Sequence, residues 1–126
     1  MKHGSGKILI VDDDARNIFA LSAVLKSRQY ECLKASDMQE ALALLQQHPD
    51  VGIILLDMMM PEMDGYEAIP RIRQISHYKQ VPIIAVTAQA MRGDKERCLE
   101  AGANGYVSKP VQIDELQELL KQLLND

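Results

Sequence analysis

Four apolar runs in this chain end on residues able to do chemistry. Asp12, Asp13 and Asp14 follow "KILIV" (Lys7 to Val11), and Asp57 follows "VGIILL" (Val51 to Leu56). Thr87 follows "VPIIAV" (Val81 to Val86), and Lys109-Pro110 follows "GYVS" (Gly105 to Ser108). Three carboxylates brought to one place repel each other; either a cation joins them or their pKa values rise. A small set of hard oxygen ligands suits Mg²⁺, which keeps several waters and also binds phosphate. A lysine and a hydroxyl aimed at the same point complement the remaining oxygens of that phosphate. The set fits phosphoryl transfer, with an aspartate as nucleophile and metal, lysine and hydroxyl stabilising the charge on the transferring group.

Each piece has a plainer reading when taken singly. "VDDD" after a strand is a turn plus a helix cap; Thr87 is a cap or a β-branched filler; Lys109 is a solvated lysine. Asp64, in "MDG", is read here as a turn and cap rather than a ligand. The joint occurrence carries the argument, because four strand ends of five bear complementary chemistry.

The elements that must position these groups follow from periodicity. Strands are expected at Lys7 to Val11, Glu31 to Ala35, Val51 to Leu56, Val81 to Val86 and Gly105 to Ser108. Helices are expected over about Ala15 to Ser27 with Asp14 as cap, from a start at Ser36 to about Gln47, and after Asp64 with Glu67 completing a capping box. Two more run from about Arg92 to Ala101, stopped by Gly102, and from about Ile113 to Leu124. Pro70 lies about six residues into the third helix, so that helix either begins later or kinks. Alternating βα units imply a parallel sheet with helices on both faces, and right-handed crossovers restrict the order. A doubly wound (βα)5, flavodoxin-like three-layer sandwich in the order 2-1-3-4-5 is expected, with ligands at the carboxyl ends of the strands. In that order the third strand lies between the first and fourth. Neighbours are about 4.8 Å apart, so Lys109 starts about 10 Å from Asp57 and needs its long side chain to reach it.

Composition bounds the rest. The chain of 126 residues is 47% hydrophobic with a formal net charge of -4, which fits one compact domain and disfavours a nucleic-acid surface. No apolar run reaches the roughly 18–20 residues that span a bilayer, so no membrane contact is expected. "MKHGSG", residues 1–6, reads as a flexible leader before a domain at 7–126. Cys32 and Cys98 have no metal-site spacing, and read as reduced thiols in the cytoplasm. His3, His48 and His77 are scattered, which argues against a metal site built from them.

The pieces Asp12-Asp13, "DMMMPEMDG" around Asp57, Thr87-Ala88 and Lys109-Pro110 together resemble the receiver domain of two-component response regulators, over about Lys7 to Leu124. The resemblance implies roles. Asp57 is the phosphoacceptor; Asp12 and Asp13 bind Mg²⁺ with Asp57, Asp13 more closely, and the Met59 carbonyl adds a ligand. Lys109 contacts the phosphoryl group, and the Lys109-Pro110 bond is cis. The donor is a phosphohistidine on a sensor histidine kinase or a phosphotransfer protein; the downstream protein is unknown. The domain would catalyse its own phosphorylation and dephosphorylation, not turn over a free substrate. The implied switch is Thr87, Ala88 and Tyr106, remodelling the face of the fourth helix, fifth strand and fifth helix; the plainer reading leaves the Tyr106 hydroxyl in water.

On the first helix, with Leu21 at the centre of the core face, Ile18, Val24 and Leu25 are expected to be buried. Arg16, Phe19, Ala20 and Ala23 then lie outward with Ser27, a strip suited to docking a helical hairpin that bears the donor histidine, with Pro110 adding to it. Met58 and Met60 read as packing. Met59, apolar and two residues past the acceptor, predicts a long-lived aspartyl phosphate. The competing readings are a phosphorylation-independent interaction module, which is expected to have lost an acid or the lysine, and an aspartate-nucleophile phosphatase, which needs an inserted cap. The stretch from Val86 to Val111 resembles hybrid sensor kinase receivers.

Overall fold

A computed structural model describes residues 6–88 and 93–124; the expected leader at 1–5, and Arg92, lie outside these. Five strands alternate with five helices: β1 Lys7–Val11, α1 Ala15–Ser27, β2 Cys32–Ala35, α2 Met38–Gln47, β3 Val51–Asp57, α3 Gly65–Arg73, β4 Ile83–Thr87, α4 Asp94–Ala101, β5 Gly105–Ser108 and α5 Ile113–Leu124. A 3₁₀ turn at Ser76–Tyr78 links α3 to β4. The sheet is parallel, as the alternation predicts, and its order is β2-β1-β3-β4-β5, as expected from the doubly wound fold rule.

Successive strand residues point to opposite faces, so near-continuous apolar strands feed two cores. Leu9, Val11, Ile54, Leu56, Ile83 and Ala85 pack under α2, α3 and α4. Ile8, Ile10, Ile53, Leu55, Ile84 and Val107 pack under α1 and α5. The central strand β3 is thereby buried on both sides, and its backbone is held from β1 and β4.

Several boundaries differ from the periodicity-based reading. β4 starts at Ile83, not Val81, because Pro82 has no N–H to give the ladder and only its carbonyl pairs, with the Ile54 N–H at 3.0 Å. β2 starts at Cys32, one residue late. The α2 cap is Asp37, not Ser36: its carboxylate accepts the Glu40 N–H at 2.7 Å, while the Ser36 N–H and hydroxyl both donate to the Glu40 side chain. α4 starts at Asp94, after Gly93 in the left-handed region at φ 84°. It ends, as expected, on left-handed Gly102.

α3 does not begin late. It starts at Gly65 behind Asp64, whose carboxylate accepts the Glu67 N–H at 3.0 Å, and runs through Pro70. The proline ring is exposed, and Pro70, having no N–H, gives no backbone bond to Tyr66's carbonyl four residues earlier. On α1, Ile18, Leu21 and Leu25 are buried, but Val24 is 37% exposed. Those three centre the face on the Leu25 side of Leu21; Val24 lies about 100° around the helix from that centre.

Candidate functional site

Asp57 and Thr87 are the last residues of β3 and β4, one step inside the ladder rather than after it. The ladder extends that far because the Met58 N–H donates to Val86's carbonyl at 2.9 Å and the Lys109 N–H to Thr87's at 2.7 Å. Both side chains are consequently fixed by strand backbone. Among the described residues, the buried polar or charged side chains are Asp12, Asp57 and Thr87. All three stand at carboxyl ends of neighbouring strands, where nothing apolar in the fold needs them.

The acids converge. Asp12, Asp13 and Asp57 each offer a carboxylate oxygen within 4.8 Å of the others, with Asp13 exposed. Lys109 spans the gap predicted for it: Nζ lies 3.2 Å from Oδ2 of Asp12 and 3.5 Å from Oδ2 of Asp57. The other oxygen of each of these two acids is held by a backbone N–H, and an amide joins the lysine on Asp12 Oδ2. The Asp14 N–H donates to Asp12 Oδ1 at 2.8 Å, the Asn17 amide donates to Asp12 Oδ2, and the Met59 N–H donates to Asp57 Oδ1 at 3.0 Å. The Lys109-Pro110 bond is cis.

Burial pushes the Asp57 carboxyl above its ordinary range; the Met59 N–H opposes the shift, the nearby Asp12 charge adds to it, and Lys109 pulls it back. For Lys109, burial works toward a lower value, but Asp57 and the bond to Asp12 outweigh it and raise the ammonium's pKa. The pocket is thus short of positive charge even with its lysine in place. Three oxygen ligands of that kind fit a hard divalent cation such as Mg²⁺.

Of the methionines, Met58 and Met60 are buried, as read from sequence, and Met59 is 50% exposed. Gly65 has a steric reason: a β-carbon there would sit 2.1 Å from the Met58 sulfur, so glycine lets α3 start tight against the end of β3.

Beyond the acids, Thr87 is buried, Ala88 exposed and Tyr106 half-buried. The Tyr106 hydroxyl is not left to water. It donates to Asp94 Oδ2 at 3.2 Å, while the Tyr66 hydroxyl donates to Oδ1 of the same carboxylate at 3.0 Å. The Cys98 sulfur lies 3.7 Å from the Tyr66 hydroxyl, and Arg97 stacks over the Tyr66 ring at 4.7 Å. One carboxylate at the start of α4 thus joins α3 to β5. On α1, Phe19 is 74% exposed, and Arg16, Ala20, Ala23 and Ser27 are exposed with it; Pro110 is exposed as well.

Asn17, Tyr66 and Asp94 escape the sequence reading. Asn17 had a signal: it is the third residue of α1, five after Asp12, and helix side chains lean toward the N-terminus. Tyr66 and Asp94 had none, since their meeting depends on how α3 packs on α4.

The family model described as the response regulator receiver domain matches residues 8–121. The chain is 42% identical over 113 residues to the sensor histidine kinase RcsC of Escherichia coli (strain K12), spanning 90% of this chain but 12% of that protein. The receiver domain of the sensor histidine kinase PA1611 from Pseudomonas aeruginosa PAO1, solved with a magnesium ion coordinated in its active site cleft, has a TM-score of 0.85. It is 36% identical, over 97% of this chain and 99% of that one. The receiver domain of the Saccharomyces cerevisiae response regulator Ssk1, solved in complex with the histidine phosphotransfer signaling protein Ypd1, has a TM-score of 0.87 at 25% identity, over 99% of this chain and 92% of that one. With a family match over most of its length and a relative 42% identical across 90% of it, the chain belongs to the response regulator receiver domains, the phosphoacceptors of two-component signal transduction.

Proposed function

We propose that Asp57 is the residue phosphorylated in this domain, by transfer from a phosphohistidine on a sensor histidine kinase or a phosphotransfer protein. The observation that carries the reading is one ammonium, Lys109, bridging two buried carboxylates whose oxygens lie within 4.8 Å of a third. A carboxylate oxygen of Asp57 attacks phosphorus, the P–N bond breaks, and the imidazole leaves with the electron pair. The Met59 N–H, on the other side of the carboxylate, keeps the attacking group oriented. Lys109 moves from the acids to the phosphoryl oxygens, where its charge is needed. Asp12, Asp13, Asp57 and the Met59 carbonyl would hold Mg²⁺, which when bound supplies positive charge against the phosphoryl oxygens.

The phosphoryl group then draws the Thr87 hydroxyl inward, Ala88 leaves room beside it, and the Tyr106 ring turns in, remodelling the face formed by α4, β5 and α5 for a downstream protein. Arg16, Phe19, Ala20, Ala23 and Pro110 form the surface on which the donor docks. The domain modifies itself rather than a free substrate, and its free thiols, Cys98 buried and Cys32 half-buried, suit the reducing cytoplasm.

Incubation with Mg²⁺ and acetyl phosphate, followed by intact mass, tests the assignment. The wild type is expected to gain one phosphoryl group and Asp57→Ala none. Equal labelling of both would overturn it.

A further inference from the structure

Asn17 has no part in the roles above, yet it contacts the acid pocket directly. Its amide donates to Oδ2 of Asp12, the same oxygen that lies 3.2 Å from the Lys109 ammonium. Asp12 is 2% exposed, so water cannot readily replace a lost donor. Its other oxygen already accepts the Asp14 N–H.

We propose that Asn17 is a positioning residue for phosphoryl transfer: its amide keeps the buried Asp12 oxygen paired when Lys109 leaves that oxygen for the phosphoryl group. The inference rests on the phosphoacceptor reading of Asp57. A carboxylate oxygen accommodates about two donors, and in the resting pocket Asn17 and Lys109 are both on Oδ2. Once the lysine moves, Oδ2 of an Asp12 without Asn17 would have lost both of its hydrogen-bond donors, leaving only a bound cation to pair this buried carboxylate. That oxygen would instead retain the lysine. A neutral amide suits the task, since it satisfies the oxygen without adding charge that would compete with a cation. An aspartate of the same size would do the reverse, removing the donor and giving Lys109 another anion to stay with. The helix supplies the aim: Asn17 is the third residue of α1, and its neighbour Asp14 caps that helix by accepting the Arg16 N–H at 2.9 Å.

The test is a double-mutant cycle read as the initial rate of phosphorylation by acetyl phosphate at saturating Mg²⁺, with Mg²⁺ affinity measured separately by NMR titration for each protein. Asn17→Ala is expected to slow the wild type by about tenfold, the scale of one hydrogen bond to a charged group. Asn17→Asp should be slower still. In a Lys109→Ala background, Asn17→Ala should change the rate by less than about twofold, because the residue it acts through is gone. Equal slowing in both backgrounds, or no slowing in the wild-type background, overturns the proposal; a general loss of folding would fall into the first case. Should Asn17→Ala not fold, Asn17→Ser in both backgrounds carries the same comparison. A wild type that takes up no phosphoryl group on Asp57 sinks the functional reading itself, a result distinct from either of these.

Discussion

Lys109 serves two acids at once in the resting pocket. Its ammonium lies within 3.5 Å of both Asp12 and Asp57, and still Asp57 is pushed toward its protonated form, chiefly by burial. The folded state binds the Asp57 proton more tightly than the unfolded chain does, so this residue's contribution to stability is present at low pH and lost as pH rises through its folded pKa. At neutral pH the ionised carboxylate is a net cost. Asp57→Asn keeps the shape, leaves Lys109 paired to Asp12 and removes that cost. It is expected to melt higher at pH 7 by about 4 °C, the shift that about 1 kcal/mol produces in a domain of this size. The gain should vanish toward about pH 4, the range of an ordinary carboxylate. Melting curves recorded across that range check both statements, and a lower midpoint for Asp57→Asn at pH 7 would contradict them. A second expectation concerns the exposed Met59. Its thioether cannot orient an attacking water, whereas an amide could. Met59→Asn should therefore shorten the life of the aspartyl phosphate by about tenfold, short of the 10²–10⁴ of a positioned general base; decay followed by intact mass decides it. At this scale the site was largely legible, because Asp12, Asp13, Asp57, Thr87 and Lys109 each sit where an apolar run stops. Asn17 was not, since its role depends on a bond made after the chain has turned into α1.

Between elements, the least legible feature is the joint made by Asp94. Its two oxygens take the hydroxyls of Tyr66 on α3 and Tyr106 on β5, so α4 is tied to its neighbours through one side chain. Burial, and the hydrogen bond to Asp94, both raise the Tyr106 hydroxyl's pKa, which keeps it a donor at any ordinary pH. An inward turn of the Tyr106 ring must break its half of the joint. Asp94→Ala should therefore lower stability by about 1–2 kcal/mol through two orphaned hydroxyls, while raising the inward Tyr106 population without phosphorylation. NMR of labelled tyrosine rings in the unphosphorylated protein reads the population, and a ring state identical to wild type would refute the coupling. The same scale explains the misread boundaries. Pro82 fixed where β4 could start, α3 runs on through Pro70, and a face centred on Leu25 rather than Leu21 left Val24 outside. Periodicity locates an element's existence better than its ends or its orientation, which depend on what packs against it.

For the whole molecule, the topology was legible because five apolar runs alternating with helical stretches allow few right-handed parallel arrangements. The strip proposed for donor docking was legible only as exposure. Phe19, 74% exposed beside exposed Ala20 and Ala23, presents an aromatic anchor with small neighbours. Phe19→Glu should slow phosphotransfer from a phosphohistidine protein by about tenfold or more, the scale of a central interface aromatic, and leave the rate with acetyl phosphate unchanged. Parallel rate measurements with the two donors separate a docking role from damage to the pocket; equal rates with the protein donor would remove that role. The two regions are not independent. The Asp14 N–H is bonded to Asp12, and the Asp14 carboxylate caps α1 through Arg16. A shorter link is the single hydrogen bond from the Asn17 amide of α1 to Asp12. By thermodynamic reciprocity, whatever the binding of a cation does to the pitch of α1 and so to its grip on a visiting protein, that visitor must do to the cation's affinity in equal measure.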